Sequence, residues 1–280
     1  MWFLFLSIGC QTAIESTRDK KLCNGLSNLC ERRVNEVVFL RTHNSHASSE
    51  EGYPEWVMNH FYGITRQLND GVRALNVDVY FEDDQLWLCH NFCALGKQPL
   101  EEALTDIYEF LNAHPNDVLQ MDFQDEAPAE MIAEQIAEHS ISQYAYSQKK
   151  GEQWPTLQEL IDVDQRIFFF GSTTEDSPAW MMHKHDFFYN TESAYSDVSE
   201  LDCQPQKEPF EFGLYGVIHI ITDPLPHPQN AELINYNPML RERVLLCLED
   251  VGFINQLSVD FYSIGDALSL VAELNQFTNP

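Results

Sequence analysis

Histidine, asparagine and aspartate recur in this sequence at one kind of place, late in short apolar runs or just after them. His43 and Asn44 follow "FLRT", His90 follows "QLWLC", and Asp260 interrupts "QLSVDFYS". In "RALNVDVYF" the two-residue period of a strand puts Asn76 and Asp78 on one face and Leu75, Val77 and Val79 on the other, and in "DVLQMDF" it pairs Gln120 with Asp122. A histidine at a strand end is, taken alone, more often a satisfied structural residue than a catalyst, and a lone aspartate often caps a nearby turn. Recurrence changes that weighing. Burying several ionisable groups together costs several kcal/mol unless they pair or hold a cation. Two histidines can share a proton shuttle as base and acid. Oxygens from Asn44, Asn76, Asp78 and Asp122 suit a hard divalent cation such as Ca2+. The residues by themselves point to metal-assisted cleavage of a phosphodiester or ester.

Such groups need a scaffold that gathers strand ends. The runs "VNEVVFLRT", "RALNVDVYF", "QLWLCH", "DVLQMDF", "RIFFFG", "LYGVIHIIT" and "QLSVDFYS" read as strands. Between them "PLEEALTDIYEFLNAH", "PAEMIAEQIAEHS", "TLQELIDV" and "NPMLRERVLLCLEDVG" read as amphipathic helices, and "GDALSLVAELNQF" closes the chain. Alternation of this kind predicts an α/β fold with a parallel sheet, and the length favours a single irregular (β/α) TIM-type barrel over an open doubly wound sheet. Chemistry in such a barrel sits at the C-terminal ends of the strands. No GxGxxG or GxxxxGK[ST] follows a strand, which removes support for the common nucleotide-binding readings.

The 280 residues carry 16 basic and 44 acidic side chains, a formal net charge of −28, with 44% hydrophobic residues. That is enough apolar content for a core, and the charge opposes nucleic acid and anionic bilayers at long range. The opening "MWFLFLSIGC" is short of the roughly 20 apolar residues that span a bilayer, and reads instead as an export signal. Its "LSIGC" resembles a bacterial lipobox with Ser7 where leucine is usual, making Cys10 a lipidation candidate. Residues 1–21 are thus expected to be a leader and tether, and 22–280 the barrel. Apart from Cys10, the cysteines are Cys23, Cys30, Cys89, Cys93, Cys203 and Cys247, an even set suited to disulfides in an oxidising compartment. Proximity favours Cys23 with Cys30 and Cys89 with Cys93, leaving Cys203 with Cys247, although six cysteines allow fifteen pairings. A zinc site has less support, because no CxxC pair occurs.

The runs "LCNGLSNLCERRVNEVVFLRTHNSHA", "ITRQLNDGVRALNVDVYFEDDQLWLCHNFCALG" and "PLEEALTDIYEFLNAHPNDVLQMDF" resemble the X-domain phosphatidylinositol-specific phospholipase C superfamily. The secreted bacterial and fungal phospholipase C-like phosphodiesterases are the nearest match. The likeness continues through "WPTLQELIDVDQRIFFF", "LDCQP", "VIHIITDP" and "QLSVDFYSIGDALSLVAELN", covering nearly everything after residue 22. It implies an irregular β/α barrel in which His43 is the general base toward an inositol 2-hydroxyl. It makes His90 the general acid toward the leaving oxygen, and Asp260 the carboxylate that orients His43. Asp78 stands where metal-independent members carry arginine, and Asn44 stands at a calcium-ligand position, so the resemblance implies a Ca2+-dependent enzyme. Asn76 replaces a usually acidic residue. The fourth ligand is Asp122, Gln124 or Asp125 according to register, and strand parity favours Asp122.

The remaining polar residues are assigned structural places: His46 in the loop after the first strand, Arg73 on the face opposite Asn76 and Asp78, and His219 in the strand "VIHIIT". No basic pocket for an inositol phosphate is visible in the sequence. The expectation is an exported monomer, secreted or lipid-anchored to the cell envelope, acting on a phospholipid or other phosphodiester at a membrane surface. Two alternatives are a glycerophosphodiester phosphodiesterase, disfavoured because Asn-Ser and not Arg-Gly follows the first histidine, and an inactive cell-surface binding module on the same barrel.

Overall fold

The computed structural model describes residues 21–172, 177–192, 195–223 and 225–277. The leader and Cys10 therefore lie outside the described residues. In chain order the elements are β1 (Phe39–Thr42), α1 (Ile64–Asp70), β2 (Ala74–Glu82), β3 (Gln85–Cys89), β4 (Lys97–Pro99) and α2 (Leu100–Ala113). Next come β5 (Leu119–Asp125), α3 (Ala129–Glu138), α4 (Leu157–Asp162), β6 (Ile167–Gly171), β7 (Met181–His183) and β8 (Phe188–Asn190). The chain ends with β9 (Leu214–His219), α5 (Pro228–Ile234), α6 (Met239–Val251), β10 (Gln256–Val259) and α7 (Ala267–Phe277).

The strands follow the order β7-β6-β5-β2-β1-β10-β9-β8, every neighbouring pair being parallel, while β3 and β4 form an antiparallel flap on β2. Apart from that flap, and with the first strand β1 paired to the last, β10, strands adjacent in space are adjacent in sequence, which is the order of a (β/α) barrel. Among the described residues no ladder joins β7 to β8, so the barrel is irregular and open along that seam. β4, β7 and β8 are three residues each, too short for a two-residue period to show in the sequence.

The two faces of the sheet differ in content. Leu40, Leu75, Val77, Met121, Phe169, Val217, Leu257 and Val259 point outward and pack under Leu104, Ile107 and Leu111 of α2, Ile136 of α3, Val244 of α6 and Leu270 of α7. The helices exist to cover this face, and their apolar stripes recur at three and four residues accordingly. α4 starts on a capping box in which Thr156 Oγ1 accepts from the Glu159 N–H at 3.1 Å while Glu159 Oε2 accepts from the Thr156 N–H at 2.7 Å. The inner face is polar toward the strand ends, while its start is apolar on β1 and β2 and carries Gln256 on β10. On β1 the sequence is Phe39, Arg41 and then His43; on β2 it is Ala74, Asn76 and Asp78; on β10 it is Gln256, Ser258 and then Asp260. Phe39, Ala74, Phe168, Phe170 and Leu214 close the bottom around the fully buried Trp154. A floor that is apolar apart from the paired amides of Gln120 and Gln256, under a polar mouth, leaves the strand ends to do the chemistry.

Three disulfides join Cys23 to Cys30, Cys89 to Cys93 and Cys203 to Cys247, the pairing that proximity favours. Among the described residues no helix is long and apolar enough to cross a membrane.

Candidate active site

The chain leaves strand geometry directly after Thr42. Asn44 adopts a left-handed φ of 48°, a conformation asparagine tolerates better than most residues, and this turn lets His43 and Asn44 address the same mouth. The turn is tied down on both sides: Ser45 N–H donates to Asn76 O at 2.7 Å and Asn76 N–H donates to Ser45 Oγ at 3.0 Å. The end of β10 behaves alike, with Phe261 at φ 46° immediately after Asp260. Since β1 and β10 are neighbours in register, two such endings place His43 and Asp260 side by side.

His43 Nδ1 lies 3.0 Å from Asp260 Oδ1, which also accepts from Asn59 Nδ2 at 2.9 Å. Burial works against the charge on Asp260, but the His43 ring, His60 and the Asn59 bond outweigh it and hold the carboxyl below its ordinary range. A charged carboxylate at Nδ1 fixes the ring and leaves Nε2 as the proton acceptor. The His43 side chain is 25% exposed, enough to meet a substrate. His60 Nε2 donates to the His43 carbonyl at 2.7 Å, holding the backbone under the ring.

His90 follows β3 and its Nδ1–H donates to the Val57 carbonyl at 2.8 Å, which leaves Nε2 for a reacting group. Burial depresses its basicity, the Val57 bond partly restores it, and the nearby His43 charge lowers it again. His90 thus lies close enough to His43 to feel its charge. Asp78 feels His43 as well: burial pushes its carboxyl up to about 7, opposed by His43 and reinforced by Asp122. The sequence-predicted residues His43, Asn44, Asn76, Asp78, His90, Asp122 and Asp260 come together at this end of the sheet.

The four proposed metal donors are not equivalent. Asn44 Oδ1 and Asp78 Oδ1 are buried without a hydrogen-bond partner among the described residues, as ligand oxygens awaiting a cation would be. Asn76 Oδ1 accepts weakly from the Asn44 N–H at 3.3 Å, and its Nδ2 donates to Asp122 Oδ1 at 3.1 Å. Asp122 is occupied: Arg41 Nη2 meets its Oδ2 at 2.6 Å and Lys184 Nζ its Oδ1 at 2.9 Å. Those two cations override burial and hold its carboxyl below the ordinary range. Asn44 and Asp78 therefore fit a hard cation, whereas Asp122 serves Arg41 and Lys184 as counter-ion. Among the described residues no group of three or more His, Cys, Asp or Glu side chains is arranged as a metal site.

Arg41 and Lys184 are the residues that sequence reasoning passed over. Together with His43, Asn76, Gln124 and His185 they line a cavity of about 210 Å³ at the mouth, so a basic wall exists although the sequence showed none. Arg41 carried a signal, two residues before His43 and hence on the same face; Lys184, in the turn after β7, and Asn59, in the loop after β1, carried none. A larger groove of about 520 Å³ between β3 and α3 is lined by Asp84, Glu101, Glu134 and Glu138, whose charge opposes an anionic phosphodiester. His46 is buried beside Tyr53 and its basicity falls to about 3, first through burial. Arg73 pairs with Asp117 at 2.9 Å, away from the mouth. His219 faces outward against α6, where Arg243 donates to its Nδ1 at 3.0 Å.

The chain and its fold have counterparts among known proteins. The family model for the PI-PLC X domain matches residues 29–275. The chain belongs to the PI-PLC X domain family. Among curated relatives, a PI-PLC X domain-containing protein of Arabidopsis thaliana is 24% identical over 95% of the chain and 66% of its own length. From Arthroderma benhamiae, PI-PLC X domain-containing protein 1 is 27% identical over 68% of the chain and 64% of its own length. An uncharacterized secreted protein of the same fungus is 24% identical over 72% of the chain. This X domain thus spans 66%, 64% and 48% of the lengths of those three proteins. Among solved structures, a phosphatidylinositol-specific phospholipase C from Staphylococcus aureus superposes with a TM-score of 0.65 at 15% identity, covering 91% of the chain and 95% of the other. A second structure of the S. aureus enzyme, from work on its membrane binding, gives 0.64 at 15% identity, covering 88% and 94%. The expected barrel is the fold observed.

Proposed function

We propose that this X domain is a phosphodiesterase of the phospholipase C type that cleaves phosphatidylinositol or a similar phosphodiester by histidine acid–base catalysis. The observation that carries the reading is the pairing of His43 with Asp260 at 3.0 Å, with His90 close enough to feel both charges. In this reading His43 Nε2 removes a proton from a hydroxyl next to the phosphodiester, and that oxygen attacks phosphorus. His90 Nε2 delivers a proton to the departing oxygen, giving a cyclic phosphate and a free alcohol. Asp260 keeps the His43 tautomer and stabilises its protonated ring, and Asn59 steadies Asp260. Arg41 and Lys184 along the cavity wall favour an anionic group there. His90, depressed by burial, is recharged as the anionic substrate enters, because a phosphate nearby favours the imidazolium.

Asn44 and Asp78 would hold a calcium ion, which would supply positive charge against the phosphate when bound. The substrate is met at a lipid surface: Trp56, 53% exposed, and Phe92, 69% exposed, flank the turn that carries His90. Export, as a secreted or a lipid-anchored protein, fits the three disulfides and the relative named as secreted, and the resemblance of "LSIGC" to a lipobox supports Cys10 as the site of an anchor.

The test is product identification by phosphorus NMR from a panel of phosphodiesters, with calcium and with excess chelator. A cyclic inositol phosphate formed from phosphatidylinositol is the expected product, at a rate that falls in chelator. Full activity in chelator removes calcium from the proposal, glycerol phosphate as the product favours a glycerophosphodiesterase, and no turnover across the panel leaves a binding module.

A further inference from the structure

His43 and His90 are positioned by different means. The His43 ring is oriented by a buried carboxylate, whereas the His90 ring is oriented by a neutral backbone carbonyl, that of Val57. One hydrogen bond to a neutral carbonyl orients the ring but leaves the position of its backbone undetermined. That backbone is a turn with little packing of its own: Asn91 and Phe92 are exposed, and Asn91 sits at a left-handed φ of 63°. Exposed turns of this kind open locally at small free energy.

Here, however, the Cys89–Cys93 disulfide closes the turn on either side of His90, with Cys89 fully buried. It encloses the shortest loop of the three bridges, four residues of separation against seven and forty-four, so its effect on the unfolded chain is the smallest. Its effect on the turn is direct. The strand that feeds the turn is held from the other side by Tyr53, a 3% exposed residue whose hydroxyl donates to the Leu88 carbonyl at 3.0 Å. Gly96 lets the Tyr53 ring lie against the chain leaving the turn, since a Cβ there would come within 2.7 Å of the ring.

We infer that the Cys89–Cys93 disulfide and the Tyr53 hydroxyl are positioning elements for His90, holding its Nε2 where it protonates the leaving oxygen. The inference rests on the proposed role of His90 as general acid. A misplaced acid matters only when the leaving oxygen needs a proton. Loss of the clamp therefore slows substrates with a poor alkoxide leaving group and spares those with an activated one.

The experiment compares turnover of phosphatidylinositol in mixed micelles with turnover of inositol p-nitrophenyl phosphate, whose phenolate leaves without a proton. In the Cys89→Ser/Cys93→Ser double variant, kcat on phosphatidylinositol is expected to fall about 30-fold while kcat on the nitrophenyl ester changes less than about 3-fold, KM staying constant. Tyr53→Phe is expected to show the same asymmetry at roughly 5-fold, and serves alone if the double variant does not fold. Cys203→Ser/Cys247→Ser, which removes a bridge remote from His90, is expected to lower Tm without changing the ratio of the two rates. Equal loss on both substrates, or none on either, in the clamp variants overturns the inference. His90→Ala provides the reference: if it shows no asymmetry, or if the wild type turns over neither substrate, the acid role of His90 fails and the clamp fails with it.

Discussion

His43 and His219 both stand at the C-terminal end of a parallel strand, and the two strands are separated only by β10. One belongs to the reactive mouth and the other to the structural shell. His43 follows the inward positions Phe39 and Arg41 and meets Asp260 in a partly exposed pocket. His219 is in register with Val259, one of the outward residues, so it turns beneath α6. There its Nε2 donates to the Ile234 carbonyl at 3.0 Å and its Nδ1 accepts from Arg243. Burial first, and then the Arg243 charge, push its basicity down to about 3. The lesson is that the side of the sheet, and not the type of residue or its place along the strand, separates the proposed proton carrier from a neutral structural link.

The largest expected effect is on turnover. His43→Ala is expected to lower kcat on phosphatidylinositol by about 10²–10⁴ with an unchanged melting temperature, while His219→Ala retains near wild-type kcat per folded molecule. Steady-state kinetics normalised to the folded fraction checks both, and a His43→Ala enzyme keeping most of its activity would erase the contrast. Next in size is Arg243→Ala, which strips buried bonds to the Ile218 and Asp202 carbonyls and to His219. Urea unfolding should show a loss of about 3 kcal/mol, again with catalysis per folded molecule preserved.

A pH series sharpens the same comparison. His219 binds its proton near pH 6.5 when unfolded and only near 3 when folded, so between those values the unfolded chain holds more protons. The stability that depends on neutral His219 is therefore complete above pH 6.5 and lost as the pH falls toward 3. His219→Gln is expected to flatten the acid decline in stability by up to ~1.4 kcal/mol per pH unit between pH 6 and 4, measured by urea midpoints. Parallel declines in wild type and variant would remove His219 from that role. The smallest expected effect concerns the rim: Trp56→Ala should reduce cleavage of phosphatidylinositol in zwitterionic vesicles about 3-fold and leave a water-soluble substrate unaffected. Equal rates on vesicles would place the lipid contact elsewhere.

Much of the site is legible from the two-residue period of strands. That period joins Asn76 to Asp78, and it places Arg41 with His43, although a lone arginine in an apolar run gives no hint of the carboxylate it will meet. The outward turn of His219 is equally a matter of parity, but its direction depends on the register between β9 and β10, which no local pattern supplies. Short strands such as β7 and β8 escape because three residues cannot display a period. Lys184, in the turn after β7, therefore had no anchor in the sequence. The β1-to-α1 loop likewise gives no periodic cue that Asn59 will reach Asp260, 201 residues away.

By itself the sequence determined the barrel, through alternating strand and helix patterns, and the identity of the polar groups at the strand ends, because each lies within a few residues of the apolar run that carries it. It also made Cys89–Cys93 and Cys23–Cys30 the pairs favoured by proximity. Only the tertiary structure decided which of these groups face one another. Asp122 is claimed by Lys184 from 62 residues away and by Arg41 from β1, on the far side of β2, so that it neutralises cations in place of offering free oxygens. Asn44 Oδ1 and Asp78 Oδ1, by contrast, are buried without a hydrogen-bond partner among the described residues. The physical reason is range: periodicity orients a side chain relative to its own backbone, whereas the partner that sets its charge arrives from a strand or loop whose place depends on closure of the whole sheet.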